Sequence, residues 1–226
     1  MQESRSPLRA LRSTGGRIML GFAVVLCLMV LLTVVGITQV NRMNGALTAI
    51  NDVHGVKQRY AITFRGSVHD RSIALRDAVL ANPGELRALA ADIDRLKRQY
   101  DDAAGPMDAL FAPGADVSNV ERETLAGIKD IEQRTLPLVN RLLAALERGD
   151  AAQARPLLDQ VRPLFVQWLA AINRMIDLEE RLSKEQSDMA RRVGIDFQQL
   201  MLALTGVAIL MGAGLARSPA LTDWAC

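Results

Sequence analysis

The sequence predicts an all-α protein, an up-down-up-down four-helix bundle between two transmembrane helices. Three observations carry that prediction. Two uncharged apolar runs, 18–40 and 197–216, stand towards the ends of the 226-residue chain. Between them apolar residues recur at spacings of three and four, the period of a helix with one buried face. Aromatic residues make up only 4% of the chain, and a composition rich in Ala, Leu and Arg suits helices better than strands.

The first run is nearly pure hydrocarbon from Leu20 to Gly36. At ~1.5 Å per residue it spans the ~30 Å core of a bilayer. A cleaved signal peptide would have an apolar region of only ~7 to 15 residues and a small-x-small site after it. The stretch Thr38-Gln-Val-Asn-Arg42 offers no such site, so the run is an anchor. The second run, Phe197 to Ala216, meets the same length requirement. Its Ala208, Gly212 and Ala216 recur every four residues, a spacing that lets helices approach closely and that also arises by chance in apolar helices.

Orientation follows from the basic residues beside the spans. Arg5, Arg9, Arg12 and Arg17 against the single acid Glu3 precede the first span, and Arg217 follows the second. Both termini are therefore expected to be cytoplasmic, with 1–17 and 217–226 as short cytoplasmic segments and 41–196 as a periplasmic domain. That domain holds 22 Lys plus Arg and 23 Asp plus Glu, and lacks the basic stripe of a nucleic-acid binder. No nucleic acid is expected as a partner.

Four helices fill it. The first runs on from the apolar span to about Leu80, with Ala61, Phe64, Val68, Ser72, Leu75 and Val79 as its inward seam, and Asn82-Pro83-Gly84 stops it. The second repeats Leu86, Leu89, Ile93, Leu96, Tyr100, Ala103, Met107 and Leu110. Tyr100 and Trp168 are assigned to the core, where a phenol needs a partner. The third helix begins at Ser118, which forms a capping box with Glu121. It carries Leu125, Ile128, Ile131, Leu138, Leu142 and Leu146 inward, with Pro137 as a kink, until Gly149 ends it. Asp150 caps the fourth, whose seam is Leu157, Val161, Leu164, Trp168, Ile172, Met175, Leu178 and Leu182. Short connections make neighbouring helices antiparallel, so the first and fourth end on the same side, as two terminal spans require.

The chemistry of enzymes is missing. There is no G-x-G-x-x-G, P-loop, G-x-S-x-G or H-E-x-x-H, and the only histidines are His54 and His69. Cys27 and Cys226 cannot build a disulfide framework or a Cys-based metal site. No catalytic activity, cofactor or metal is expected.

The stretch Arg65-Gly-Ser-Val-His-Asp-Arg-Ser-Ile-Ala-Leu-Arg-Asp-Ala-Val-Leu80 resembles the signature of the four-helix-bundle sensory domain of bacterial methyl-accepting chemotaxis proteins. Gly149-Asp150, Arg162-Pro163, Trp168-Leu-Ala-Ala-Ile-Asn173 and Ile176-Asp177 look like its fourth helix. The resemblance covers roughly residues 8 to 216. It implies a sensor in the inner membrane of a motile bacterium, a homodimer or a heterodimer with related receptors, with small organic acids or amino acids as ligands. Such receptors continue after the second span into a linker module and a long cytoplasmic coiled coil, which the ten residues after Ala216 cannot form. Truncation, frameshift and a natural output-less sensor all fit that ending. The same input module also precedes other signalling outputs, and an output-less chain could instead pair with and modulate intact receptors.

Candidate ligand residues lie on the first bundle helix. Arg65, His69, Ser72 and Arg76 fall at i, i+4, i+7 and i+11 on one face, and such a cation cluster offers charge-assisted hydrogen bonds to a carboxylate. Asp70 and Asp77 equally allow these arginines to be paired on a solvated face. Arg134 and Thr135, just before Pro137, are the candidates on the third helix, with structural solvation as the competing reading.

Overall fold

The computed structural model describes residues 14–216, all of them helical apart from short turns. Arg5, Arg9, Arg12 and the segment from Arg217 onward, which entered the orientation argument, lie outside the described residues. Helix α1 is Thr14–Thr48, followed without interruption by a π-helical segment, Ala49–His54, and by α2, Gly55–Leu80. Then come α3, Pro83–Leu110, α4, Asn119–Glu147, and α5, Ala151–Ala216.

The chain divides into two units, one formed by the terminal parts up to Leu47 and from Gln186, the other by Thr48–Glu185. In the first unit both helices are long and apolar enough to cross a membrane, with mean hydropathies of 2.6 and 1.6 in their best windows. Large side chains such as Phe22, Val34, Leu202 and Leu210 point outward, as lipid-facing residues do. Thr33, Thr38 and Thr205 each return their hydroxyl to the carbonyl four residues earlier, which satisfies them without a partner helix. Gln39 Nε2 donates to the Val193 carbonyl at 2.9 Å. A Cβ built on Gly212 meets nothing within 4 Å, so the small-residue stripe makes no close approach there among the described residues.

The second unit is the four-helix bundle. Asn82-Pro83-Gly84 both ends α2 and starts α3. Extended Asn82 is the N-cap, its N–H donates to Glu85 Oε2 at 3.3 Å, and Pro83 occupies the first turn, where it has no hydrogen bond to lose. At α4 the capping box forms as the sequence predicts: the Glu121 N–H donates to Ser118 Oγ at 3.3 Å, and the Ser118 N–H donates back to Glu121 Oε2 at 2.8 Å. The preceding turn is pinned by Arg122, which donates to the carbonyls of Phe111 and Ala115 at 2.9 and 3.1 Å. Gly149, at φ +69°, supplies the left-handed residue that closes α4, and Asp150 Oδ1 accepts from the Gln153 N–H at 3.0 Å to open α5.

The core follows the predicted seams with local corrections: on α4 Val139 is buried and Leu138 half-buried, and on α2 Ala78 is buried and Val79 half-buried. On α5 the buried residue is Phe165, and Leu164 is only half-buried. On α2 the buried residue is Arg71, and Ser72 stands at the edge. At the centre Tyr100 stacks on Phe64 with centroids 4.4 Å apart, and Trp168 meets Tyr100 edge-on at 5.3 Å. Both aromatics lie in the core, and the phenol has its partner, Glu132.

Candidate functional site

Three polar centres lie within the bundle unit. The first is a groove between α2 and α5 of about 630 Å³, a size usual for small-molecule sites. Ser72, Ile73 and Arg76 of α2 line one side, and Leu158, Arg162 and Val166 of α5 line the other. Its floor is apolar, from Leu75, Val161 and Phe165. Pro163 has no N–H to bond the Asp159 carbonyl in the ordinary helical way, and both residues belong to the groove wall. Two guanidiniums and a hydroxyl over an apolar floor can hold a small carboxylate by charge-assisted bonds while burying its hydrocarbon part, and the Asp159 carboxylate in the same lining suits a ligand that also carries an amino group.

Of the six residues singled out in the sequence, this groove gathers Ser72 and Arg76 and adds Arg162. Ser72 donates its hydroxyl to the His69 carbonyl at 2.7 Å, and Arg76 holds Asp77 at 3.0 Å on an exposed surface. That neighbouring pair is the competing reading of the arginine face realised at one position, and in water it is weak enough for a ligand to displace. Arg65 and His69 are exposed and do not line the groove. Arg134 pairs with Asp130 at 2.8 Å on the surface of α4, and buried Thr135 donates to the Ile131 carbonyl at 2.6 Å, so neither joins the α2 residues.

The second centre was missed. Arg71 is 2% exposed, and its guanidinium lies 5.1 Å from the Trp168 ring and 5.9 Å from the Phe165 ring. Its Nε and Nη2, together with Trp168 Nε1, have no hydrogen-bond acceptor among the described residues. Tyr100 donates to Glu132 Oε2 at 3.0 Å beside it. Burial lowers the Arg71 pKa, although the Tyr100, Glu132 and Asp101 charges oppose this. Burial first, and then Glu132, raises that of Tyr100. Burial also raises the Glu132 carboxyl above its ordinary value, against the pull of the Tyr100 hydrogen bond and the Arg71 charge. The signal was present: 57, 61, 64, 68, 71, 75 and 78 is an unbroken alternation of four and three that puts Arg71 in the seam.

The third centre, also missed, joins His54, Lys57, Glu121 and Glu179. Lys57 Nζ donates to Glu121 Oε1 at 2.6 Å and lies 5.1 Å from the Phe111 ring centroid. His54 Nδ1 is 2.7 Å from Glu179 Oε2. Burial alone would push the Glu121 carboxyl up, but the hydrogen bonds from Lys57 and Ser118 outweigh it and hold it below its ordinary value. For Glu179 burial prevails and the carboxyl is raised, despite His54 and Lys57.

The family model described as a four helix bundle sensory module for signal transduction matches residues 12–193. No curated protein and no solved structure matches the chain. The match takes in the whole bundle, with its seams, caps and groove, and this chain belongs to the family of four-helix-bundle sensory modules for signal transduction.

Proposed function

We propose that this chain is the sensory and transmembrane part of a methyl-accepting chemotaxis receptor in the bacterial inner membrane. Its bundle lies on the periplasmic side, and its termini are cytoplasmic. The ligand is a small organic acid or amino acid, and its carboxylate is held between Arg76 and Arg162 with Ser72 beside them. The observation that carries this reading is the α2/α5 groove with two guanidiniums at its rim. Helix α5 contains both groove residues such as Arg162 and the second apolar run. A ligand that prefers one arrangement of α2 against α5 therefore biases the position of a spanning helix, by no more than its difference in affinity for the two arrangements.

Ile62, Ile73 and Val166 are large apolar residues left 45%, 36% and 67% exposed. Their exposure favours pairing with a second copy or a related receptor. It also supports a second reading, in which the chain is an output-less partner that modulates intact receptors. A thermal-shift screen of the full chain in detergent against organic acids and amino acids separates the two. A selective, dose-dependent rise that is lost in Arg76→Ala and Arg162→Ala, but kept in Arg65→Ala, is the expected result. No rise with any acid, in a folded protein that pairs with related receptors, would favour the interaction reading.

A further inference from the structure

The centre formed by His54, Glu121 and Glu179 has the makings of a metal site. Each residue offers one donor atom, and the three donors lie within 4.8 Å of one another. They come from three segments, the end of the π-helical turn, the first turn of α4 and the middle of α5. Glu179 is fully buried, and its Oε1 has no hydrogen-bond partner among the described residues. A buried carboxylate oxygen without a donor calls for a cation. Lys57 contacts Glu121 and His54 faces only Oε2 of Glu179, so neither reaches the unpartnered Oε1.

We propose that His54, Glu121 and Glu179 bind one divalent first-row transition-metal ion, with zinc as the reference ion. An imidazole nitrogen with two carboxylates suits such an ion better than magnesium or calcium, which prefer all-oxygen shells. Ligand bonds of ~2.0 to 2.2 Å place tetrahedral donors about 3.3 Å apart. The His54–Glu179 hydrogen bond, at 2.7 Å, would therefore open to admit the ion while the third donor, within 4.8 Å, closes in, leaving a fourth position for water. The ion would take over neutralisation of Glu121 from Lys57, so ammonium and metal compete for the same carboxylate. Bound metal would tie the π turn, α4 and α5 together and make the affinity of this end of the bundle for its own helices depend on free metal.

The test uses the full chain in detergent, stripped with a chelator and dialysed against buffered zinc, with bound zinc and the thermal midpoint both measured. The expected result is one zinc per chain on this site and a midpoint that climbs with free zinc. His54→Ala and Glu179→Gln should each weaken binding at least tenfold, whereas His69→Ala, the only other histidine, leaves it unchanged. Lys57→Met removes the competitor and should tighten binding. Absence of a zinc-dependent rise in the wild type overturns the proposal, as does equal affinity in wild type, His54→Ala and Glu179→Gln. If those two variants fail to fold, the conservative His54→Gln, which keeps a neutral hydrogen-bonding side chain beside Glu179, decides: weaker zinc binding supports the site, unchanged binding overturns it.

Discussion

The ammonium of Lys57 lies 2.6 Å from the Glu121 carboxylate, with the two side chains 1% and 4% exposed. Few surroundings make a charge pair so dependent on both of its members. Glu121 also caps α4 through Ser118, so the pair joins α2 to the start of α4.

Removing one partner should therefore cost far more than removing both. Lys57→Ala leaves a buried carboxylate uncompensated and is expected to lower stability by about 3 to 5 kcal/mol. The double variant Lys57→Met, Glu121→Leu should lose much less. Denaturant titration of the full chain with chelator present checks this, and equal losses in single and double variants would refute it.

Gly55 and Gly66 should respond oppositely to alanine. The Gly55 N–H bonds the Ile50 carbonyl across the π turn, and a Cβ there would lie 2.9 Å from that same oxygen. Gly55→Ala must therefore distort the turn. At Gly66 nothing lies within 4 Å, so Gly66→Ala gains helix propensity of up to ~1 kcal/mol. Melting curves should show a fall for the first and a rise for the second.

Glu132 gives a pH dependence of definite sign. Its carboxyl is raised above the ordinary 4.5, mainly by burial. A carboxyl raised in the folded state contributes stability that is fully present below its unfolded value and is lost as pH rises through the folded one. The groups facing it are Tyr100, Arg71, Lys129 and Asp101. In Glu132→Gln the amide oxygen still accepts from Tyr100, so the decline in midpoint from pH 4.5 upward should be shallower than in the wild type. Parallel profiles would remove Glu132 as the cause.

Arg71→Met should leave stability unchanged or raise it. The arginine buries two donor nitrogens, Nε and Nη2, without acceptors, and such orphans cost ~1 to 3 kcal/mol each. Methionine fills comparable space without them. Trp168→Ala, by contrast, empties the fully buried centre and should cost about 3 to 5 kcal/mol. A large loss in Arg71→Met would mean that its attraction to Glu132 outweighs the orphaned donors.

Local signals were legible in the sequence. The apolar runs, the Ser118–Glu121 box, Asp150 and Gly149 each act within a turn or two of chain, and the structure uses them as their chemistry dictates. The polar centres were not, for two reasons. Arg71 sits in a strictly periodic seam, yet the seam drawn from the sequence passes through its uncharged neighbour Ser72 instead. The partners of the third centre are far apart in sequence: 125 residues separate His54 from Glu179, and no local period links them. The groove lay between these cases, since Ser72 and Arg76 were visible on α2 but Arg162 becomes their neighbour only through packing. Nor does any motif announce a π turn at Ala49–His54.

The interior arginine also bears on a hazard of heptad proteins, which is slippage. In α5 the segment Arg155-Pro-Leu-Leu recurs as Arg162-Pro-Leu-Phe seven residues later, so a helix shifted by one heptad would present a similar apolar face to its neighbours. A shifted α5 would set Val161 or Met175 where Trp168 now stands. Arg71 would then lose the ring that its guanidinium lies over, and its charge would face plain hydrocarbon. A polar side chain at one position of a heptad seam is the device by which helical assemblies fix their alignment at some loss of stability. Arg71 over Trp168 thus sets a penalty on a one-heptad shift of α5, while its unpartnered donors cost the native alignment some stability.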